Sequence, residues 1–313
     1  MGTRLTTVYV IGSESPQGRS LLSLLKNQVG IQSIGIEGGI FTRSSEASEE
    51  RLRQFRQPDL IIHCHDLHHL DQTESNPAAA WRHNVDSISA VSKYAESFNI
   101  PVILSSSNLV FDGRRDKPYL PSHPTKPVTE FGKTKWASEE LLRERMPKHI
   151  ILRSGWLLEN DPAGWLQSIV TRALEGQPIA VSDEVQLAPT ATDDLSRVML
   201  AVLKQLTCGI DVWGVYHYSG LDTVSYAELV DTILDILSGY QQVNPVIEQA
   251  SESQLIRSTL LPMNGTLNCL KLRNTFGIKQ LSWKRFLPGL VEDCYDNWVE
   301  SNADIGRSAC PIG

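Results

Sequence analysis

The chain has 313 residues, 41% of them hydrophobic and 21% charged, and a formal net charge of −7. That length suits one large or two modest domains around a full apolar core, and the acidic balance excludes the basic patch of a nucleic-acid or anionic-membrane surface. The five cysteines (Cys64, Cys208, Cys269, Cys294 and Cys310) are scattered and free of C-x-x-C spacing, which argues against a disulfide framework or a structural zinc site.

Val8 to Ile11 is a short β-rich run that ends at Gly12. Gly12-Ser-Glu-Ser-Pro-Gln-Gly18 follows, and then a helical pattern with Leu21, Leu22, Leu24 and Leu25. Strand, glycine turn and helix form the context in which a glycine-rich loop cradles the diphosphate of a dinucleotide. Gly12, Ser15, Gln17 and Gly18 are the candidates for that role. Ser15 holds the middle position, where a glycine admits the closest approach. Glu14 brings a carboxylate near the diphosphate and opposes binding if it points inward. Ile31 to Ile36 reads as the second strand. Glu37 after it suits a ribose diol and NAD, whereas Arg43 suits the 2′-phosphate of NADP, and both readings stay open.

Ser48 to Arg56 is a charged helix. Pro58 to Asp66 then reads as a buried parallel strand whose polar end meets the carboxyl edge of the sheet, where ligands sit in doubly wound folds. His63, Cys64 and His65 are placed there against the cofactor. His63 and His65 alternate onto one face, with Asp66 and His68 close behind. Side chains around a strand end diverge, so no metal is assigned. Asn76-Pro77 opens the next helix, with Trp81, Asn84, Ile88, Val91 and Ala95 at helical spacing.

Ile100 to Ser107 is a β-run that ends in hydroxyls, Ser105 among them, and leads into Asn108-Leu-Val-Phe-Asp-Gly113. Past a proline-rich loop, Pro127 to Glu139 opens a helix. Phe131 and Lys135, four residues apart, share one face of it, and Thr134 is expected off that face. Further on stand Leu152-Arg-Ser-Gly-Trp156, Asp183-Glu-Val-Gln186-Leu-Ala-Pro189-Thr190, Gly214-Val-Tyr-His-Tyr-Ser-Gly220 and Pro262-Met-Asn264-Gly-Thr-Leu267-Asn-Cys-Leu-Lys271-Leu272. Ser225-Tyr-Ala-Glu228 is a capping box at a helix start.

These stretches, from about residue 8 to 297, resemble the extended short-chain dehydrogenase/reductases, and among them the RmlD-like dTDP-4-dehydrorhamnose reductases. Ser106 to Gly113 is similar to that family's Ser-Thr-Asp-Tyr-Val-Phe-Asp-Gly signature. The resemblance implies an α/β fold: a Rossmann-type doubly wound parallel sheet with a smaller C-terminal α/β substrate-binding domain. The implied division is residues 1–154 plus about 187–218 for the NAD(P)-binding part and about 155–186 plus 219–300 for the substrate part, with 301–313 a frayed tail.

The resemblance also implies the site. Ser107 stands at the catalytic Ser/Thr position, Lys135 at the catalytic Lys, and Phe131 where the family carries the proton-donating Tyr. Asn84 matches an Asn that helps position the Lys. NADP or NAD would meet Gly12, Ser15, Gln17, Gly18, Glu37, Arg43, His63, Cys64, His65, Asn84, Ser105 and Lys135. A nucleotide-sugar would meet Ser107, Asn108, Val110, Trp156, Gln186 and Asn264.

The departures cluster: Ser15 in the phosphate loop, the bulky His63–His69 strand end, Phe131, and Leu261 where the family has a substrate-binding Arg. That pattern favours a catalytically impaired member or pseudoenzyme with a binding or regulatory role. An active NAD(P)H-dependent reductase of a dTDP-4-dehydro-6-deoxy sugar is the alternative. A different enzyme in the same cleft, an epimerase or a metal-assisted activity, is the third reading. The family also contains the regulatory β subunit of methionine adenosyltransferase, which acts through a partner, so a protein partner or a homodimer joins the expectations. No apolar run approaches the ~20 residues of a membrane span, and the first residues lead almost directly into a strand without a leader pattern. A cytoplasmic protein is expected.

Overall fold

The structure, a computed structural model, describes residues 5–42, 45–67, 69–250 and 262–308, with the backbone alone for 42, 45–47 and 304–308. Arg43, His68 and Leu261 lie outside the described residues.

Six parallel strands form the central sheet: β1 (Thr6–Ile11), β2 (Ile31–Ile36), β3 (Leu60–His63), β4 (Val102–Ser107), β5 (His149–Ser154) and, much later in the chain, a sixth strand, Gly214–Tyr218. Their order is β2-β1-β3-β4-β5 and then Gly214–Tyr218. The register is continuous, Val8 pairing with Ser33 on one side and with Leu60 on the other. Strand order reverses between β1 and β3, and in doubly wound sheets the ligand crevice opens outside the carboxyl ends at that reversal.

Alternation along the strands sends side chains to two buried faces, as a parallel sheet requires. On one face Val8, Val10, Leu60, Ile62 and Ile150 pack against Leu21 and Leu25 of α1 (Pro16–Lys26) and against Leu195 and Val198 of the helix Thr192–Thr207. On the other, Tyr9, Ile11, Ile61 and Leu104 meet Leu52 of α2 (Ser45–Arg53), Val91 of the helix Ser87–Phe98 and Leu142 of the helix Glu130–Arg145.

A second core gathers Leu158, Leu166, Val170, Ile179 and Leu187 with Leu229, Ile233, Trp283, Leu287 and Val291. Leu272, Phe276 and Ile278, which the expected division assigns to this part, pack instead in the core of the sheet. The last helix, Leu287–Ser308, also runs on where a frayed tail from 301 is expected. Among the described residues no helix is long and apolar enough to cross a membrane.

Candidate active site in the cleft

A cleft of about 1310 Å³ runs along the carboxyl edge of the sheet. Ser15, Cys64, Asp66, Ser105, Ser107 and Lys135 line the sheet side, and Trp156, Trp165, Arg172 and Tyr226 face them.

The helix Glu130–Arg145 places the central pair. Thr129 caps it by accepting from Gly132 N at 2.9 Å, and Arg143 and Arg145 close its last turn, which satisfies a free amide and complements the helix dipole. Its buried side carries Phe131, Thr134, Lys135, Ser138, Glu139 and Leu142, a helical repeat. Thr134 is buried too, but it turns away from the cleft that Phe131 and Lys135 line: its hydroxyl donates to Phe131 O and accepts from Asn84 Nδ2.

Phe131 packs against Leu109, with Leu70 and Trp156 beside them. Lys135 Nζ is 5.9 Å from the Phe131 ring centre and donates to Asp66 Oδ2 at 2.9 Å. Ser107 Oγ donates to Asn108 Oδ1 and accepts from Leu109 N, each at 3.2 Å. Asn108 Nδ2 donates to Gly265 O at 2.8 Å. Burial, followed by the charge of Asp66, pushes the Cys64 thiol up to about 12, so it is a packing group and no nucleophile.

The phosphate loop keeps its backbone shape. Gly12 has φ +84°, and a Cβ on Gly18 would sit 2.0 Å from Gly12 O, so both positions require glycine. Ser15 caps α1, its hydroxyl accepting from Gly18 N at 3.0 Å and donating to Gly12 O at 2.8 Å. Gln17 is buried, and its Nε2 donates to Ser196 Oγ.

The end of β2 is different. Glu37 is exposed. Gly38 N donates to both carboxylate oxygens of Glu14, at 2.8 and 3.0 Å. The His65 imidazole lies against Gly38, with Nδ1 3.6 Å from Glu14 Oε1 and Nε2 3.2 Å from His83 Nδ1. Burial holds His65 below the usual histidine range, against the opposing pull of Glu14 and Asp66.

A dinucleotide therefore fits this groove in part. Ser15, Cys64, Ser105, Lys135 and Gln17 line the cleft where the diphosphate and nicotinamide side would be held. On the adenosine side Glu14 and His65 take up the end of β2.

Five expected residues do other work. His63 points into the sheet's helical layer, Nε2 2.8 Å from Ser87 Oγ, because the strand's alternation turns it away from the cleft; burial keeps it neutral. Asn84 lies in a π-helical turn, Arg82–Asp86. Its side chain accepts from Leu67 N at 2.6 Å and donates to Thr134, the neighbour of Lys135, rather than to Lys135 or into the cleft. Val110 is core, packed with Phe111, Tyr119, Leu267 and Cys269, since the tight turn after β4 sends Asn108 and Leu109 to the cleft and Val110 behind it. Gln186 Nε2 donates to Asp183 O, and Asn264 Nδ2 to Arg115 O, so both brace loops. Trp156 does line the cleft, and its indole N–H is buried without a hydrogen-bond partner among the described residues.

Sequence reasoning missed Asp66 as the partner of Lys135, His83 beside His65, and Trp165, Arg172 and Tyr226 on the far wall. The signal for Asp66 was available: an acid at a strand end where the resembled family carries small residues. Among the described residues, no group of three or more His, Cys, Asp or Glu side chains is arranged to hold a metal ion.

The model of the RmlD substrate binding domain matches residues 6–295. The chain belongs to this family. A dTDP-4-dehydrorhamnose reductase of Sinorhizobium fredii is 27% identical over 239 residues, 75% of this chain and 80% of that protein. Among solved structures, a dTDP-4-dehydrorhamnose reductase of Clostridium acetobutylicum has a TM-score of 0.82 at 20% identity, covering 92% of this chain and 99% of its own. One from Bacillus anthracis, solved in complex with NADP, has a TM-score of 0.77 at 20% identity, with 93% and 99% covered. At these identities the structures establish the fold, the doubly wound α/β sheet of the RmlD-like extended reductases.

Proposed function

We propose that this RmlD-family protein binds a nucleotide-linked sugar in the cleft and is impaired as a reductase of it. The observation that carries this is the state of the central pair. Phe131 keeps the ring of the catalytic position but has no proton to give, and Lys135 is already paired with Asp66. General acid catalysis of this kind contributes on the order of 10²–10⁴ in rate. The Ser107 hydroxyl is too weak an acid to replace a phenol, and it is committed to Asn108 Oδ1.

What remains suits binding. Asn108 and the Trp156 ring line the cleft beside Ser107, and Arg172 on the far wall offers a cation for a phosphate. A regulatory role through a protein partner or a homodimer belongs to the same reading.

The relatives support a second reading, an NAD(P)H-dependent reductase of a dTDP-4-dehydro-6-deoxy sugar. NAD(P)H would supply the hydride. Lys135, Ser105 and Ser15 would hold and orient the dinucleotide, Ser107 would orient the sugar carbonyl, and the proton would come from solvent.

One experiment separates the two readings. The protein is mixed with dTDP-4-dehydrorhamnose and NADPH or NADH, and reduced cofactor is followed beside a thermal-shift series with dTDP-sugars. A thermal shift without cofactor oxidation is expected. Turnover at the rate of a dTDP-4-dehydrorhamnose reductase overturns the first reading.

A further inference from the structure

The crowding at the end of β2 is built from four chain segments. The backbone at residue 65 crosses so close to Gly12 that a Cβ there would lie 2.6 Å from His65 Cα. The imidazole then covers Gly38, where a Cβ would lie 1.8 Å from Nδ1. Glu14, from the phosphate loop, reaches over to accept from Gly38 N with both oxygens. His83, from the π-helical turn, supports the other side of the imidazole at 3.2 Å. The cleft reaches Ser15 and Cys64, yet Gly12, Glu14, Glu37, Gly38, His65 and His83 are not among its walls.

In a doubly wound fold the adenosine ribose of a dinucleotide lies beside the end of the second strand, next to the phosphate loop. We infer that His65 and Glu14 form a latch over that half of the groove and set the chain's affinity for dinucleotides, which enter fully only when the latch lifts from Gly38. A ribose hydroxyl seeking the same place competes with a carboxylate for the Gly38 amide and with an imidazole for the space above it. The Glu14 charge also repels a 2′-phosphate, so the latch weighs more heavily on NADP than on NAD. The diphosphate and nicotinamide side stays open, so a ligand lacking adenosine is not affected. The inference rests on the reading of this cleft as the family's cofactor groove, whether or not the sugar is reduced.

Calorimetric titration of the full chain with NADH, NADPH, ADP-ribose and nicotinamide mononucleotide tests it. His65→Ala should tighten NADH and ADP-ribose about tenfold and leave nicotinamide mononucleotide unchanged. Glu14→Gln removes a side chain's charge at the surface, keeps the fold, and should tighten NADPH more than NADH. NADH, NADPH and ADP-ribose affinities that are the same in the native chain and both variants overturn the latch, and so does an equal gain for nicotinamide mononucleotide. If His65→Ala fails to fold, the NADPH-to-NADH ratio of Glu14→Gln decides alone. Turnover by the native chain removes the binding-only reading without touching these affinities, and unchanged affinities remove the latch without restoring turnover.

Discussion

Lys135 Nζ lies 2.9 Å from Asp66 Oδ2, with the two side chains 4% and 17% exposed. In the resembled reductases that lysine lowers the pKa of a tyrosine and holds the cofactor ribose. Here a carboxylate from the end of β3 takes up its charge. Returning the phenol alone therefore leaves the lysine engaged. Phe131→Tyr is expected to stay within about tenfold of the native rate of NADPH oxidation with dTDP-4-dehydrorhamnose, below the 10²–10⁴ of an effective general acid. A rise of that larger size in the single variant, measured by absorbance of the reduced cofactor, contradicts the view that Asp66 has disarmed Lys135.

Gly38 owes its identity to the ring above it. A methyl group there overpacks against the His65 imidazole, and Gly38→Ala is expected to cost about 1–3 kcal/mol. The cost should fall sharply in a His65→Ala background, because the two residues share one contact. Urea unfolding of both single variants and the double variant reads the coupling. Additive costs disprove direct packing.

Beneath the hydroxyl-rich end of β4, Glu139 is fully buried and accepts from Arg153 Nε at 2.8 Å, Arg153 Nη2 at 2.6 Å and Ser106 Oγ at 2.6 Å. Arg153 also lies over the Phe111 ring, 5.0 Å from its centre. Removing one partner leaves a buried charge, so Arg153→Met should destabilise by about 3–5 kcal/mol. The unfolding midpoint measures it, and a loss below about 1 kcal/mol would show that Arg143, on the other side of Glu139, suffices.

His217 is buried with Nδ1 3.0 Å from Tyr119 O, and burial together with the nearby Arg153 pushes it down to about 3. Unfolded, it titrates near 6.5. Its contribution to stability is complete above about pH 6.5 and is lost as pH falls toward 3, since the unfolded chain then binds a proton that the native state refuses. His63, held low by burial, acts in the same direction. Unfolding free energy should fall by up to about 1.4 kcal/mol per pH unit per histidine below pH 6.5, and His217→Gln should flatten the slope. A slope unchanged by that substitution refutes the assignment.

Much of the framework was legible because it is local. The glycine turn after β1, the Ser15 position at the start of α1 and the shared face of Phe131 and Lys135 follow from spacing within a few residues. What escaped is set by distant segments meeting. His65 lands between Gly12 and Gly38 only because β1, β2 and β3 lie side by side. The partner of Lys135 comes from a loop 69 residues earlier. Val110 and Asn84 were misplaced for another reason: a tight turn and a π-helical turn rotate side chains by amounts that strand or helix periodicity does not carry.

The two cores are threaded by one chain that passes between them repeatedly. It leaves the sheet after Ser154 for Leu158, returns with Leu195, departs after Tyr218 for Val224, comes back at Leu272 and departs again for Trp283. No single scission frees either part. A fragment ending at residue 154 would lack the strand Gly214–Tyr218 and bare the full edge of β5, a template for aggregation. Neither core of this protein is thus a separable unit of chain.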